Sequence, residues 1–89
     1  MKTVKVYNLQ TSGGNPAPEQ LVHVLEDGTE MFFSYSTKIA ERSPDGKLTL
    51  TPSWDYSQTT GRFRNKFTGM TLAETRRGIA DGTITLEIH

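Results

Sequence analysis

The chain has 89 residues, of which 34% are apolar, and its ten basic residues balance its ten acidic ones. This length predicts a single domain over residues 1–89, with a small core and a thin margin of stability. The zero formal net charge argues against a generally basic nucleic-acid coat protein. The lack of cysteine excludes a disulfide framework and a thiolate metal site. We expect a soluble cytoplasmic protein without membrane association, because no segment has the apolar run of a signal peptide or a membrane span.

The first strand and the segment after it differ sharply in composition. Residues 3–9 alternate between apolar and polar side chains, which predicts a strand. Residues 10–19 contain two glycines and two prolines, which indicates a flexible loop. A second strand is predicted at 21–26, where His23 is the one polar residue before Glu26 and is expected to be a hydrogen-bonded core residue.

Turn signals then divide the next segment into hairpins. The pair Asp27-Gly28 favours a two-residue turn, because both residue types tolerate positive φ. We expect return strands at 29–36 and 38–42. Residues 43–46, Ser-Pro-Asp-Gly, suit a type I turn, and a fifth strand is predicted at 47–51.

The spacing of apolar residues becomes helical in the second half. Phe63 and Phe67 are four residues apart, which predicts a helix at about 57–68 with these rings facing the sheet. A capping-box pattern then predicts a second helix at about 72–81, and alternation at 83–88 predicts a final strand. The predicted fold is α+β, a small and largely antiparallel sheet of five to six strands with both helices packed on one face.

Three segments carry a family resemblance. They are residues 34–40 (Ser-Tyr-Ser-Thr-Lys-Ile-Ala), residues 45–48 (Asp-Gly-Lys-Leu), and residues 54–63, which contain Trp-Asp-Tyr-Ser, a Thr-Thr pair and Phe63. In these segments the chain resembles a family of small, mostly uncharacterised proteins of bacteriophages and mobile elements. The resemblance covers roughly residues 20–68. It implies a phage-type origin and a life inside a bacterial host cell, and it brings no established activity.

The junction before the first helix has two interpretations. Ser57 or Thr59 can cap the helix, while Trp54 and Tyr56 pack against the sheet. Alternatively, the free N–H groups and hydroxyls of the helix start can receive a phosphate or carboxylate, although Asp55 would repel an anion. Caps of this composition are common, which favours the first interpretation.

The basic residues are unevenly distributed. Residues 57–80 contain five cations and a single acid, Glu74. Arg62 and Lys66 are expected on one face of the first helix, with Arg64 pointing away from them. The residues considered for protein or nucleic-acid binding are therefore Trp54, Tyr56, Arg62, Arg64, Lys66 and Arg77.

A catalytic set is not identifiable in the sequence. A serine or threonine nucleophile would have to use His23 or His89 as its base, and two distant histidines without a carboxylate at ligand spacing are poor evidence for a metal. We therefore expect no enzyme activity, no metal and no cofactor.

Three functions follow in order of preference. The first is a non-enzymatic interaction module that binds a bacterial or phage protein, for example by inhibiting a host or defence protein. The second is a small nucleic-acid-binding module that uses the basic helical segment. The third is a structural homodimer formed by pairing of sheet edges.

Overall fold

Six strands form one sheet in the computed structural model, which describes residues 2–87. They are β1 (Thr3–Gln10), β2 (Pro16–Leu25), β3 (Glu30–Ser34), β4 (Thr37–Arg42), β5 (Leu48–Leu50) and β6 (Thr85–Leu86). Strand order in the sheet equals strand order in the chain, and only the β5–β6 pair is parallel. Two helices, α1 (Gln58–Thr68) and α2 (Leu72–Asp81), connect β5 to β6. The predicted α+β fold with its largely antiparallel sheet is confirmed.

The helices cover one face of the sheet, and this face carries the core. Four residues that pair with one another across β2 to β5 are completely buried. They are Val22, Phe32, Ala40 and Leu50. The ring of Phe67 on α1 stacks on Phe32, with 5.7 Å between centroids. The pattern of Phe63 and Phe67 therefore predicted the inward face of α1 correctly.

The loop predicted at 10–19 is shorter in the structure. Strand β2 begins at Pro16, which pairs with Gln10, so the connection is confined to residues 11–15. Proline is compatible with a strand at its first residue, where no N–H is needed for the ladder. The side-chain amide of Asn8 donates to the carbonyl of Ala17 at 2.9 Å, which adds a second tie between the two strands.

Two tight turns differ from their sequence signals. At Asp27-Gly28 the N–H of Leu25 donates to the carbonyl of Thr29 at 2.8 Å, so three residues, 26–28, connect the paired residues. The N–H of Gly28 donates to the carbonyl of Leu25, and of these three residues only Gly28 has positive φ. The prediction of a two-residue turn at Asp27-Gly28 is therefore wrong. A two-residue turn occurs instead between β3 and β4, where Tyr35 (φ 51°) and Ser36 (φ 67°) are both left-handed. Non-glycine residues rarely adopt this conformation, and the N–H of Tyr35 is held by the carbonyl of Glu19 at 2.9 Å.

Helix α1 is fixed to the sheet at both ends. Its N-cap is Ser57, whose hydroxyl accepts the N–H of Thr60, and Gly69 ends it in the left-handed conformation that glycine adopts without strain. At its last turn the guanidinium of Arg42 donates to the carbonyl of Phe67 at 2.9 Å and pairs with Glu30 at the same distance. A cation at this end also complements the helix dipole.

Helix α2 begins with the predicted capping box, in which Thr71 and Glu74 each bind the other's backbone N–H. It reaches β6 through close contact between Gly78 and Ile84, and the N–H of Ile84 donates to the Gly78 carbonyl at 3.0 Å. The final strand is shorter than the predicted 83–88, because Ile84 turns into the core and pairing is limited to Thr85–Leu86. Residue 88 of that prediction lies outside the described residues.

Candidate functional site

The junction motif fastens the start of α1 to the sheet. The side chain of Thr60 is fully buried, and its hydroxyl shares a hydrogen bond of 2.9 Å with the buried hydroxyl of Ser34 on β3. Ser57 donates to the same Thr60 oxygen at 3.2 Å while accepting the Thr60 N–H. The expected helix cap is therefore confirmed, with Ser57 as the capping residue. The expected packing of Tyr56 against the sheet is wrong, because its side chain is largely exposed.

Arg64 occupies an unusual position for an arginine. It is only 1% exposed and lies on the inward side of α1 beside Gly61. Its Nη1 donates to the carbonyl of Trp54 at 2.8 Å, and its Nη2 donates to Oδ1 of Asn65 at 3.1 Å. Its guanidinium also faces the indole ring of Trp54, 5.3 Å from the centroid. Its Nε makes no hydrogen bond within residues 2–87.

The charge of Arg64 is only partly compensated. The nearest carboxylate, Asp55, is 3.7 Å from Nη1, and its other oxygen lies 3.8 Å from Arg76. These distances are too long for hydrogen bonds, so Asp55 acts on both guanidiniums as a nearby charge. Burial lowers the pKa of Arg64 below its ordinary value; the Asp55 carboxylate opposes this effect and the Arg76 charge adds to it. Arginine remains protonated regardless, so a buried positive charge persists here.

An open cleft adjoins this buried charge. It has a volume of about 540 Å³ and lies between the start of α1 and α2. Its lining residues are Asp55, Ser57, Gln58, Gly61, Arg62, Arg64, Asn65 and Leu72. We call this the cleft. It combines two arginines, one carboxylate, several uncharged polar groups and one leucine, so its lining is more polar than that of a typical small-molecule pocket.

The structure separates the remaining basic residues predicted for binding. Arg62 and Lys66 are both exposed on α1, as their spacing predicts, but only Arg62 lines the cleft. Lys66 instead extends over the ring of Phe63, 5.9 Å from its centroid. Arg77 lines a different, smaller groove beside Asp81 and Glu74. The predicted cations therefore do not form one basic surface.

The two aromatic residues predicted for binding also differ in environment. Trp54 is half-buried and packs against the core, and the guanidinium of Arg64 lies over its ring. Tyr56 is 68% exposed and is the more available of the two for a stacking contact.

The second prominent surface is the sheet face opposite the helices. The register places Val6, His23, Met31 and Glu41 in one row across β1 to β4. The neighbouring row is Asn8, Leu21, Phe33 and Lys38. We call these two rows the open face. The apolar members are half-buried or exposed, and Val6 is 49% exposed.

His23 belongs to the open face and is not a core residue. Its ring lies against Phe33 with 4.7 Å between centroids and an interplanar angle of 52°. The prediction of a core position for His23 was wrong. Because β2 has apolar residues on both faces, its sequence does not show which face packs against the helices. Ion pairing on this face is local, with Lys38 and Glu41 joined at 2.7 Å on β4.

Arg64 is the residue whose role sequence reasoning missed, although a signal was present. Thr60, Phe63, Arg64 and Phe67 follow the spacing of a single helical face. All four are buried in the structure. The position of Arg64 on this stripe distinguishes it from the exposed Arg62 and Lys66.

Residues 2–87 contain neither a cluster of metal-ligating side chains nor a membrane-spanning helix. No group of three or more histidine, aspartate or glutamate side chains in residues 2–87 is arranged to hold a metal ion. In the same part of the chain, no helix is both long enough and apolar enough to cross a membrane.

Comparison with known proteins identifies the family. The model of a family of unknown function, DUF8033, matches residues 1–82, so the chain belongs to that family. A search of curated proteins gives no significant match. A search of solved structures gives no significant match either.

Proposed function

We propose that this member of the DUF8033 family is a non-enzymatic interaction module that binds a protein partner through the open face. The proposal is supported by a group of apolar residues on the sheet surface opposite the helices. These neighbouring residues are Val6, Leu21, Met31 and Phe33. Grouped apolar side chains on a surface are typical of protein-binding sites.

The composition of the open face indicates what kind of partner fits it. Its apolar centre is bordered on β4 by Lys38 and Glu41, whose charges cancel locally. A partner would therefore be selected by an apolar and aromatic surface of matching shape, with polar groups at the rim. Long-range electrostatic steering would contribute little, because that requires a surface of one charge sign.

The biological setting of the proposal comes from the resemblance to phage and mobile-element proteins. It supports the proposal that the chain acts in the cytoplasm of a bacterial host, with a bacterial or phage protein as partner. Inhibition of a host or defence protein is one role that a small domain without its own chemistry can fulfil. The proposed non-enzymatic character agrees with the placement of His23, whose ring packs on Phe33.

The proposal is tested with a pair of matched substitutions. Val6→Lys adds a charge to the open face, and Tyr56→Lys adds the same charge at an exposed residue on the helical side. Protein captured from bacterial lysate by the wild-type chain is purified and titrated against all three forms by calorimetry. We expect Val6→Lys to weaken binding at least tenfold, because a charge buried in an apolar contact costs several kcal/mol unless it is paired.

The control defines the opposite outcome. Tyr56→Lys should bind like the wild type, and circular dichroism should show that both variants are folded. A partner that binds Val6→Lys as tightly as wild type, or that is lost with Tyr56→Lys alone, overturns the assignment to the open face.

Nucleic-acid binding is the second candidate, favoured by the exposed pair Arg62 and Lys66 on one side of α1. Fluorescence anisotropy with single- and double-stranded DNA and RNA at two salt concentrations tests it. The double variant Arg62→Ala/Lys66→Ala should reduce the salt dependence by about two phosphate contacts. An unchanged slope excludes this surface.

Homodimerisation is the third candidate, because β1 forms one edge of the sheet and carries the exposed residues Val4 and Val6. A free edge strand can pair with a second copy. Light scattering at high micromolar concentration distinguishes the outcomes. A monomer excludes edge pairing, and a dimer that Val6→Lys dissociates identifies a second copy as the partner.

A further inference from the structure

We propose that the cleft is a binding site for a small molecule that carries a single oxyanionic group, either a carboxylate or a phosphate. The site lies on the helical side of the sheet and is independent of the protein-binding role proposed for the open face. Four features of the structure support it: a buried guanidinium, a carboxylate near two arginines, a helix start without an acidic residue in its first turn, and an apolar contact at Leu72.

The first feature is the incomplete pairing of Arg64. This residue is 1% exposed, yet its Nε has no hydrogen-bond partner within residues 2–87 and its nearest carboxylate oxygen is 3.7 Å away. Charged side chains are expensive to bury unless a close ion pair and hydrogen bonds compensate them. Two neutral acceptors, the carbonyl of Trp54 and the amide oxygen of Asn65, supply hydrogen bonds but no negative charge. The wall of the cleft therefore keeps a positive potential.

The second feature is that a single carboxylate lies near two guanidinium groups. Asp55 lies 3.7 Å from Arg64 and 3.8 Å from Arg76, which is near the cleft but not part of its lining. Arg62 is the second arginine of the lining, beside Arg64. Three positive charges therefore face one negative charge. Because Asp55 is directed toward two arginines, its repulsion of an incoming anion is outweighed by their attraction. A single additional negative charge would improve the balance without reversing it.

The third feature is the start of α1. Ser57 and Gln58 line the cleft, and the first turn of this helix contains no acidic residue. The start of α2, in contrast, has Glu74 in its capping box. The partial positive charge of a helix N-terminus attracts an anion. At α1 this attraction acts in the same direction as the field of Arg64.

The fourth feature sets the size and nature of the ligand. A volume of about 540 Å³ fits a metabolite-sized molecule, and Leu72 and Gly61 provide contact for a non-polar part of it. Asp55 remains in the lining, which disfavours polyphosphates and other molecules with several adjacent negative charges. The geometry points to a small organic acid or a monophosphate ester.

The test is a titration followed by two-dimensional NMR of the backbone amides at constant ionic strength. Sodium acetate and inorganic phosphate are the two probes, and sodium chloride is the reference salt. We expect saturable shifts centred on Gln58, Gly61 and Arg62, with dissociation constants on the order of 1 mM for these fragments. Saturation by phosphate alone identifies a phosphate ester as the natural class, and saturation by acetate alone identifies a carboxylate.

Three variants separate specific binding from a general charge effect. Arg62→Ala should weaken binding about fivefold, because one unit charge at about 4 Å in water contributes about that factor. Asp55→Asn should strengthen it by a similar factor, since it removes the one repelling charge. Arg77→Ala makes the same change on α2 beside the other groove, and it should leave the affinity unchanged.

Several results would overturn the proposal. Shifts that grow linearly with concentration, or that are equal for chloride, would show only a surface ion effect. Weaker binding in Asp55→Asn would show that this carboxylate organises the cleft and does not oppose the anion. An equal loss in Arg62→Ala and Arg77→Ala would place the interaction outside the cleft. None of these results affects the open face, because these variants leave that surface unchanged.

Discussion

A glycine-to-alanine change at Gly78 is expected to destabilise the protein, although alanine is the better helix former. A Cβ atom at this position would lie 2.6 Å from Cδ1 and 2.8 Å from Cγ1 of Ile84. Ile84 is 5% exposed, and its N–H is bound to the Gly78 carbonyl, so it cannot simply move away. The contact between α2 and the start of β6 depends on the missing side chain.

The size of the effect follows from two opposing contributions. Alanine in place of glycine inside a helix favours folding by about 1 kcal/mol. Overpacking a well-filled core costs about 1–3 kcal/mol. Gly78→Ala should therefore lower the free energy of unfolding by up to about 2 kcal/mol.

Gly61→Ala is the matched control, because Gly61 is also a buried helical glycine. Its added Cβ would lie 3.5 Å from Nη2 of Arg64, which is ordinary van der Waals contact. This variant should keep most of the stabilisation that alanine gives over glycine inside a helix, so it should be more stable than wild type. The two variants should differ by about 1–3 kcal/mol in urea unfolding at 25 °C.

A third variant checks the cause. Ile84→Val removes the Cδ1 atom that Gly78→Ala would meet first, so the alanine should cost less in that background. Equal stabilisation by Gly78→Ala and Gly61→Ala would refute the steric explanation. The steric explanation would also be refuted if Gly78→Ala lowered the free energy of unfolding equally with isoleucine and with valine at position 84.

Two further predictions concern the polar groups that fix the helices. Thr60→Val should cost about 1–3 kcal/mol in chemical unfolding, because it leaves the buried hydroxyl of Ser34 unpaired, whereas Ser34→Ala/Thr60→Val should cost less than the single change. A double variant less stable than Thr60→Val alone would contradict this account. Stability should also fall in acid: hydrogen bonds from Thr29 hold the pKa of Asp27 below its ordinary value, and those from Thr71 do the same for Glu74. A lowered folded-state pKa stabilises the fold above the unfolded-state pKa, and this contribution is lost as pH decreases through the folded-state value. Urea midpoints between pH 6 and pH 3 measure it, and Glu74→Gln should reduce the slope; an identical slope would exclude Glu74 as a contributor.

The fold could largely be predicted because its elements are local. Alternation and turn signals predicted the first five strands, and helical spacing together with the capping box predicted both helices with nearly correct bounds. The capping box at Thr71 was visible as a four-residue pattern. The β5–β6 pairing could not be obtained this way, because it is a non-local contact that depends on how the two helices lie on the sheet.

Turn geometry was predicted less well, for a specific physical reason. Asp27-Gly28 satisfies the residue preference of a two-residue turn, but a three-residue connection satisfies the register of β2 and β3 with only Gly28 left-handed. The left-handed pair occurs at Tyr35–Ser36, against residue preference. There the Glu19 carbonyl of the longer strand β2 holds the turn through the Tyr35 N–H.

The candidate surfaces required the structure to be recognised. The open face is hidden in the sequence because β2 has apolar residues on both sides, and only the register separates Val22 from Leu21 and His23. The cleft depends on Arg64, which was grouped with exposed cations by its charge. Its neighbours Thr60, Phe63 and Phe67 place it on the buried stripe.

The identity between strand order and chain order has a consequence for how the chain folds. Each antiparallel neighbour from β1 to β5 is reached through a short connection, so each closure costs little conformational entropy. Pairing β6 with β5 requires closure of the whole segment that contains α1 and α2. Contacts that close long segments form at a higher entropic cost and slow the folding of the chain. The open face belongs to the part of the protein built from local hairpins, and the cleft belongs to the part that only this long closure completes.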